Sequence, residues 1–180
     1  MKKFLVIFLI CILTGCTKKI TPQSPNELLL GIKDYSCKMQ ISYFSNKNST
    51  EYLAIQSYSS LGKYSMEFLD NDNLKINYEN SNLNITSNLA NTSINLSNYK
   101  ELNKNPLFLS YFINTYFNTE IKNNIKIFDD SIHLILPTNN QYLYSAELLF
   151  KDNVPYSLSY FDENGNVKVN IIYNEFTLIA

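Results

Sequence analysis

Tyr35-Ser36-Cys37-Lys38-Met39-Gln40-Ile41-Ser42-Tyr43 alternates apolar or aromatic residues with polar ones over nine positions. Successive side chains of a strand point to opposite faces, so a period of two marks a strand with one buried and one wet face. Just upstream the pattern is helical. Ser24-Pro25-Asn26-Glu27 reads as a capping box with proline at the first helical position. Leu28, Leu29, Leu30 and Ile32 give the helix that follows an apolar side, and it is expected to end near Asp34. A short helix feeding a half-buried strand needs a β layer to pack on, and this sets the fold class as mainly β (α+β).

Toward the C-terminus, strand patterns recur at short, regular spacing. Glu51 to Ser59 and Lys63 to Leu69 come first, and Asp70-Asn71-Asp72-Asn73 turns into Leu74, Ile76 and Tyr78. Leu83 with Ile85 and Ile94 with Leu96 give two thinner strands, each with one wet face, in an Asn- and Ser-rich stretch. The period then changes. Asn105-Pro106 reads as a cap and first-turn proline, and the helix from Pro106 to Asn118 carries Phe108, Leu109, Tyr111, Phe112, Ile113, Tyr116 and Phe117. A helix apolar on nearly all sides belongs inside a structure. Strands resume with Glu120 to Phe128, Ile132 to Leu136, Gln141 to Phe150, Val154 to Phe161 and Val167 to Leu178. Asn164-Gly165, between the last two, signals a type I′ hairpin. The expected architecture is a curved, unclosed antiparallel barrel of roughly nine to eleven strands, since so many strands cannot stay flat. An N-terminal helix precedes it, and the central apolar helix lies in its concave face.

Toward the N-terminus, Met1-Lys2-Lys3 is a short basic start, and Phe4 to Leu13 is unbroken apolar sequence. A bilayer-spanning helix takes roughly 20 apolar residues, so this run reads as the core of a secretory signal. It ends in Leu13-Thr14-Gly15-Cys16, which looks like a bacterial lipobox. In such signals the cysteine receives a diacylglyceryl group and becomes the first mature residue. The expected organisation is therefore a signal peptide over 1–15, lipidated Cys16 with a polar tether over 16–23, and one domain over 24–180. Lys18 and Lys19 in the tether would be drawn to anionic headgroups, at about 1 kcal/mol each. This places the protein on the extracytoplasmic face of the cell membrane, held by lipid.

Composition narrows the function. Lys2 and Lys3 leave with the signal, so 15 lysines become 13 against 16 Asp and Glu, a net charge of −3. With no arginine in the chain, that balance argues against nucleic acid. Cys11 also leaves and Cys16 is lipidated, which leaves Cys37 without a partner in the chain and excludes a disulfide framework. Cys37 reads as a small apolar core residue, with an intermolecular bridge as the alternative.

The residues from Asn26 to Ile41 (Asn-Glu-Leu-Leu-Leu-Gly-Ile-Lys-Asp-Tyr-Ser-Cys-Lys-Met-Gln-Ile) and the element order together resemble the LolA/LolB type of lipoprotein-localisation fold. In that fold an unclosed antiparallel barrel wraps around helices. Within it, the lipobox, small size and Tyr-Ser-Cys start of the first strand are similar to the germination lipoproteins of Gram-positive spore formers, the GerS type. The resemblance implies action by binding a sporulation amidase needed for cortex modification. It assigns no partner-binding residue, because no such motif matches position by position.

Catalytic groups are sparse. His133, the only histidine, sits within Ile132-His133-Leu134 with no nucleophile or carboxylate motif around it, and reads as structural. One histidine and one free cysteine cannot fill a tetrahedral zinc site. Asp70-Asn71-Asp72-Asn73 and Asp162-Glu163-Asn164-Gly165 depart from the calcium-loop pattern and read as hairpin turns. Asp129-Asp130 is not a dyad, since neighbouring strand residues face opposite ways. No catalytic, cofactor or metal residue is assigned. Phe108, Phe112, Tyr116 and Phe117 stand between two roles, filling the core or lining a cavity for an acyl chain. Two functions follow: a tethered scaffold that binds an envelope protein, or a lipid or lipoprotein carrier using the concave face. A permanent anchor prevents shuttling, which favours the scaffold.

Overall fold

The computed structural model describes residues 23–45, 47–70, 74–100, 105–120, 122–137 and 141–179. The signal segment, Cys16, most of the tether and residues 71–73 lie outside the described residues. No helix among the described residues is long and apolar enough to cross a membrane.

Helix α1 (Pro25–Gly31) begins as its sequence dictates: the Glu27 amide donates to Ser24 Oγ, and the Ser24 amide donates to Glu27 Oε2 at 3.0 Å. It buries Pro25, Leu28 and Leu29. It stops at Gly31 and not near Asp34, because Ile32 turns extended and enters the core. The Asp34 carboxylate is then free to accept from the Ser60 amide at 2.6 Å, which ties the turn around Ser60 to the segment leading into the sheet.

Six strands follow as a meander: β1 (Tyr35–Phe44), β2 (Ser49–Ser59), β3 (Lys63–Phe68), β4 (Leu74–Glu79), β5 (Asn82–Ser87) and β6 (Thr92–Leu96). Helix α2 (Leu109–Asn118) interrupts them. A second meander then runs through β7 (Ile125–Ile127), β8 (Ser131–Ile135), β9 (Ser145–Lys151), β10 (Val154–Phe161) and β11 (Val167–Leu178). The two meanders join where β1 pairs antiparallel with β11, from Tyr35 opposite Leu178 to Tyr43 opposite Val169. One eleven-stranded antiparallel sheet results, in the order β6-β5-β4-β3-β2-β1-β11-β10-β9-β8-β7. The sheet is curved and unclosed, as expected from the sequence, and β6 and β7 are its free edges.

Alternation decides the faces. Tyr35, Cys37, Met39 and Ile41 of β1 are buried, and the same parity continues across the register through Ala54 and Gln56, Met66, Leu83, Leu134, Leu148, Leu158 and Ile171. The apolar members form one core cluster with Phe108, Leu109, Phe112, Ile113 and Tyr116 of the α2 segment. The other face carries Lys38, Gln40, Glu67, Lys75 and His133.

Three local expectations are corrected. The strand expected over Glu120 to Phe128 shrinks to Ile125–Ile127, because Lys122–Asn124 forms a 3-10 turn first. Asn side chains favour such turns by offering the backbone local hydrogen bonds. The strand expected over Gln141 to Phe150 begins only at Ser145, and Tyr142 lies 62% exposed in the loop before it. The Asn164-Gly165 turn is not type I′, since only Gly165 has a positive φ (+80°). Asp162 organises a longer loop instead. Its Oδ1 accepts from the amides of Asn164 (3.0 Å) and Asn166 (2.8 Å), and the Gly165 amide donates to the Asp162 carbonyl.

Candidate partner-binding surface

The concave side of the sheet is filled from within. Asn105 does not cap α2. Its Oδ1 accepts from the Leu107 amide at 3.0 Å and its carbonyl from the Phe108 amide, so a turn precedes the helix and delays it to Leu109. Phe108 stands at the N-cap and offers no side-chain acceptor. The turn is gripped from two sides of the sheet. From β10 the Tyr160 hydroxyl donates to the Pro106 carbonyl at 2.7 Å. From β2, Gln56 Nε2 donates to the Leu107 carbonyl at 3.0 Å, while its Oε1 accepts from the Tyr35 hydroxyl at 2.5 Å. Burial pushes the Tyr35 and Tyr160 hydroxyls well above the usual phenol range.

The four aromatic residues singled out in α2 divide accordingly. Phe108 and Phe112 are fully buried and Tyr116 is 9% exposed, whereas Phe117 is 46% exposed. Phe108 packs edge-on against Tyr64 of β3, with ring centroids 5.5 Å apart. The Tyr116 hydroxyl donates to Asn26 Oδ1 at 3.0 Å, pinning α2 to α1. Three of the four therefore come together in the core, and Phe117 stands outside it.

Titratable groups are scattered. Cys37 is buried with a free thiol, and desolvation pushes its pKa up to about 12, which leaves it unreactive. His133 lies on the outer face, in register with Lys126 and Glu147. Among the described residues no group of three or more His, Cys, Asp or Glu could hold a metal ion. A shallow depression of about 390 Å³ opens beside Phe44, Asn48, Tyr142 and Lys168. Lys168 on its wall is already committed, since its Nζ lies 3.1 Å from Asp162 Oδ2.

The two free edges differ. Strand β7 has three residues with Lys126 at its centre, and Asp129 and Asp130 follow directly after Phe128. Strand β6 has five residues, all exposed. Rows of side chains run across the sheet and stop there. On the inner face Met66, Ile76, Ile85 and Ile94 lie in register, ending with Ile94 55% exposed. On the outer face the row is Ser65, Asn77, Asn84 and Asn95. Ser65 Oγ donates to Asn77 Oδ1 at 3.1 Å, and Asn84 Nδ2 donates to Asn95 Oδ1. The sequence pattern did not reveal which strands become the free edges or that Gln56 bonds to the turn before α2. The uncharged run around β6 was its one readable signal.

These features define an unclosed antiparallel half-barrel packed around a central helix. The chain belongs to the family described as sporulation protein YdcC-like, whose sequence profile matches residues 1–179. Among solved structures it is similar to an uncharacterized conserved protein from Thermus thermophilus, with 13% identity over 87% of this chain and 88% of that one and a TM-score of 0.53. It is also similar to a chain of the complex between the CwlD amidase of Clostridioides difficile and the GerS lipoprotein, with 20% identity over 86% and 91% of the chains and a TM-score of 0.52. A LolA superfamily protein from Nitrosomonas europaea aligns at 9% identity over 88% and 94%, with a TM-score of 0.40. No curated protein matches the chain.

Proposed function

We propose that this protein is a non-catalytic lipoprotein, anchored through Cys16 on the extracytoplasmic face of the cell membrane, that binds a cell-wall amidase during sporulation. The observation that carries the reading is the fold shared with a chain of an amidase–lipoprotein complex, in a protein that belongs to a sporulation family. The free strand edges support it, because an open edge offers unpaired backbone groups to another chain. The carrier alternative would need α2 to leave the concave face, yet Phe108, Leu109 and Phe112 are fully buried there. Two measurements test the reading. Cys16→Ala should abolish lipid labelling and leave the precursor uncleaved, and unchanged labelling would refute the anchor. Affinity capture of the protein from sporulating cells should recover an amidase reproducibly. Recovery of acyl lipid with no reproducible protein partner would instead establish the carrier.

A further inference from the structure

We infer that the partner docks at the β6 edge by adding one uncharged, extended strand beside Thr92–Leu96; this rests on the partner-binding reading above. Sheet edges are normally guarded by charge, proline or extreme shortness, since an unguarded edge pairs with any available strand. The β7 edge is guarded by its three-residue length, Lys126 and the Asp129-Asp130 pair. The β6 edge has no such device. Over residues 80–99, which span β5, β6 and both flanking turns, there is no Asp, Glu, Lys or Pro.

The chemistry of the incoming strand follows from what the rows leave unfinished. The inner rows end in Ile94 and in Leu96, 55% and 43% exposed, so the added strand must bring apolar side chains over both. The outer row ends in Asn95, whose neighbours across the sheet are asparagines. An amide or hydroxyl beside it would extend the ladder. Charge is excluded by distance. The nearest charges carried by a strand are Lys75 and Glu79 on β4, three strand spacings from the added strand, or about 14 Å. That exceeds the screening length of about 8 Å at physiological salt, so a charge on the incoming strand would find no counter-charge on a described strand of the sheet. The binding element is a neutral segment about as long as β6 that alternates apolar with amide or hydroxyl side chains.

The test places a photo-cross-linking amino acid, one at a time, at Asn95, at Lys126 on β7 and at Gln40 on the outer face of the full-length protein in sporulating cells. The expected result is an adduct from position 95 roughly tenfold or more stronger than from the other two, mapping to an uncharged segment of a different protein. The double variant Ser93→Lys/Asn95→Lys, accumulating normally at the membrane, should lower recovery of that protein by roughly tenfold or more. A stronger adduct from position 126 or 40 would overturn the edge assignment. So would an adduct to a charged segment or to a second copy of this chain, or undiminished recovery with the lysine variant. No adduct from any position, together with empty affinity capture, would overturn the partner reading itself.

Discussion

Replacing Gln56 with leucine keeps most of the side-chain volume in the core but removes its hydrogen bonds to the Tyr35 hydroxyl and the Leu107 carbonyl, along with a weak one to Met39 Sδ. The Tyr35 hydroxyl loses its acceptor at 2.5 Å and the Leu107 carbonyl loses its donor at 3.0 Å, in a place where Gln56 is 0% exposed. An orphaned buried polar group costs about 1–3 kcal/mol, so two of them predict a loss of about 2–6 kcal/mol for Gln56→Leu. Tyr35→Phe alone should cost about 1–2 kcal/mol, by leaving Gln56 Oε1 without a donor. In the double variant hydroxyl and acceptor disappear together, and only the Leu107 carbonyl remains orphaned. The double variant should therefore lose about 1 kcal/mol or more less than the sum of the singles. Urea unfolding of the lipid-free domain from Ser24 to Ala180, followed by circular dichroism, measures all three. Strict additivity, or a Gln56→Leu loss within about 0.5 kcal/mol of zero, the size of an ordinary surface change, would refute the view that this network holds α2 in the sheet.

Phe112→Ala should cost about 3–5 kcal/mol in the same assay, because a fully buried ring leaves a cavity between α2 and the sheet. Glu175 holds a left-handed backbone (φ +52°) beside the bulge where β11 slips against Ser36 and Lys38. Glu175→Gly should stabilise by up to about 1 kcal/mol, since the relief of about 1–2 kcal/mol is offset by the exposed ion pair to Lys38, and the thermal midpoint should rise by a few degrees. Asp162 is held at about 2, against an ordinary 3.8, first by the side chain of Asn166. Its stabilising contribution is therefore complete above pH 3.8 and is lost as pH falls from there through about 2, so Asp162→Asn should flatten stability across that window in acid titrations. At the alkaline end, burial raises Tyr35, Tyr160 and Tyr173 well above 10, so these phenols ionise first in the unfolded chain. Stability should fall as pH rises above about 10, measured as a declining urea midpoint.

Local chemistry made the hairpins readable. Short polar turns separate most strands from their sequence neighbours, and two of them place paired residues at positive φ, Asn80 with Ser81 and Asp152 with Asn153, as two-residue hairpins require. The capping box started α1 where it was expected. Strand ends were less legible. In the segments that contain Lys122–Asn124 and residues 141–143, flanking apolar and aromatic residues continue a strand-like pattern, but the strands themselves start later, at Ile125 and Ser145. At Asp162 the turn follows from a buried carboxylate bonding forward to Asn164 and Asn166, which outweighs the usual preference of Asn-Gly.

The order of strands and helices, the two meanders and the buried face of β1 were legible from the chain alone, because a period of two or of 3.6 is a property of neighbours. The absence of charge around β6 was legible in the same way. The pairing of β1 with β11 was not. It makes the first and last strands the centre of the sheet and leaves β6 and β7 at its rims. That pairing joins residues such as Lys38 and Asn174, and no local pattern encodes a partner so distant. The same holds for Gln56, a polar residue on a buried face that sequence periodicity reads as an exception. Its partners, Tyr35 and the Leu107 carbonyl, lie 21 and 51 residues away, and only folding brings them within hydrogen-bond reach.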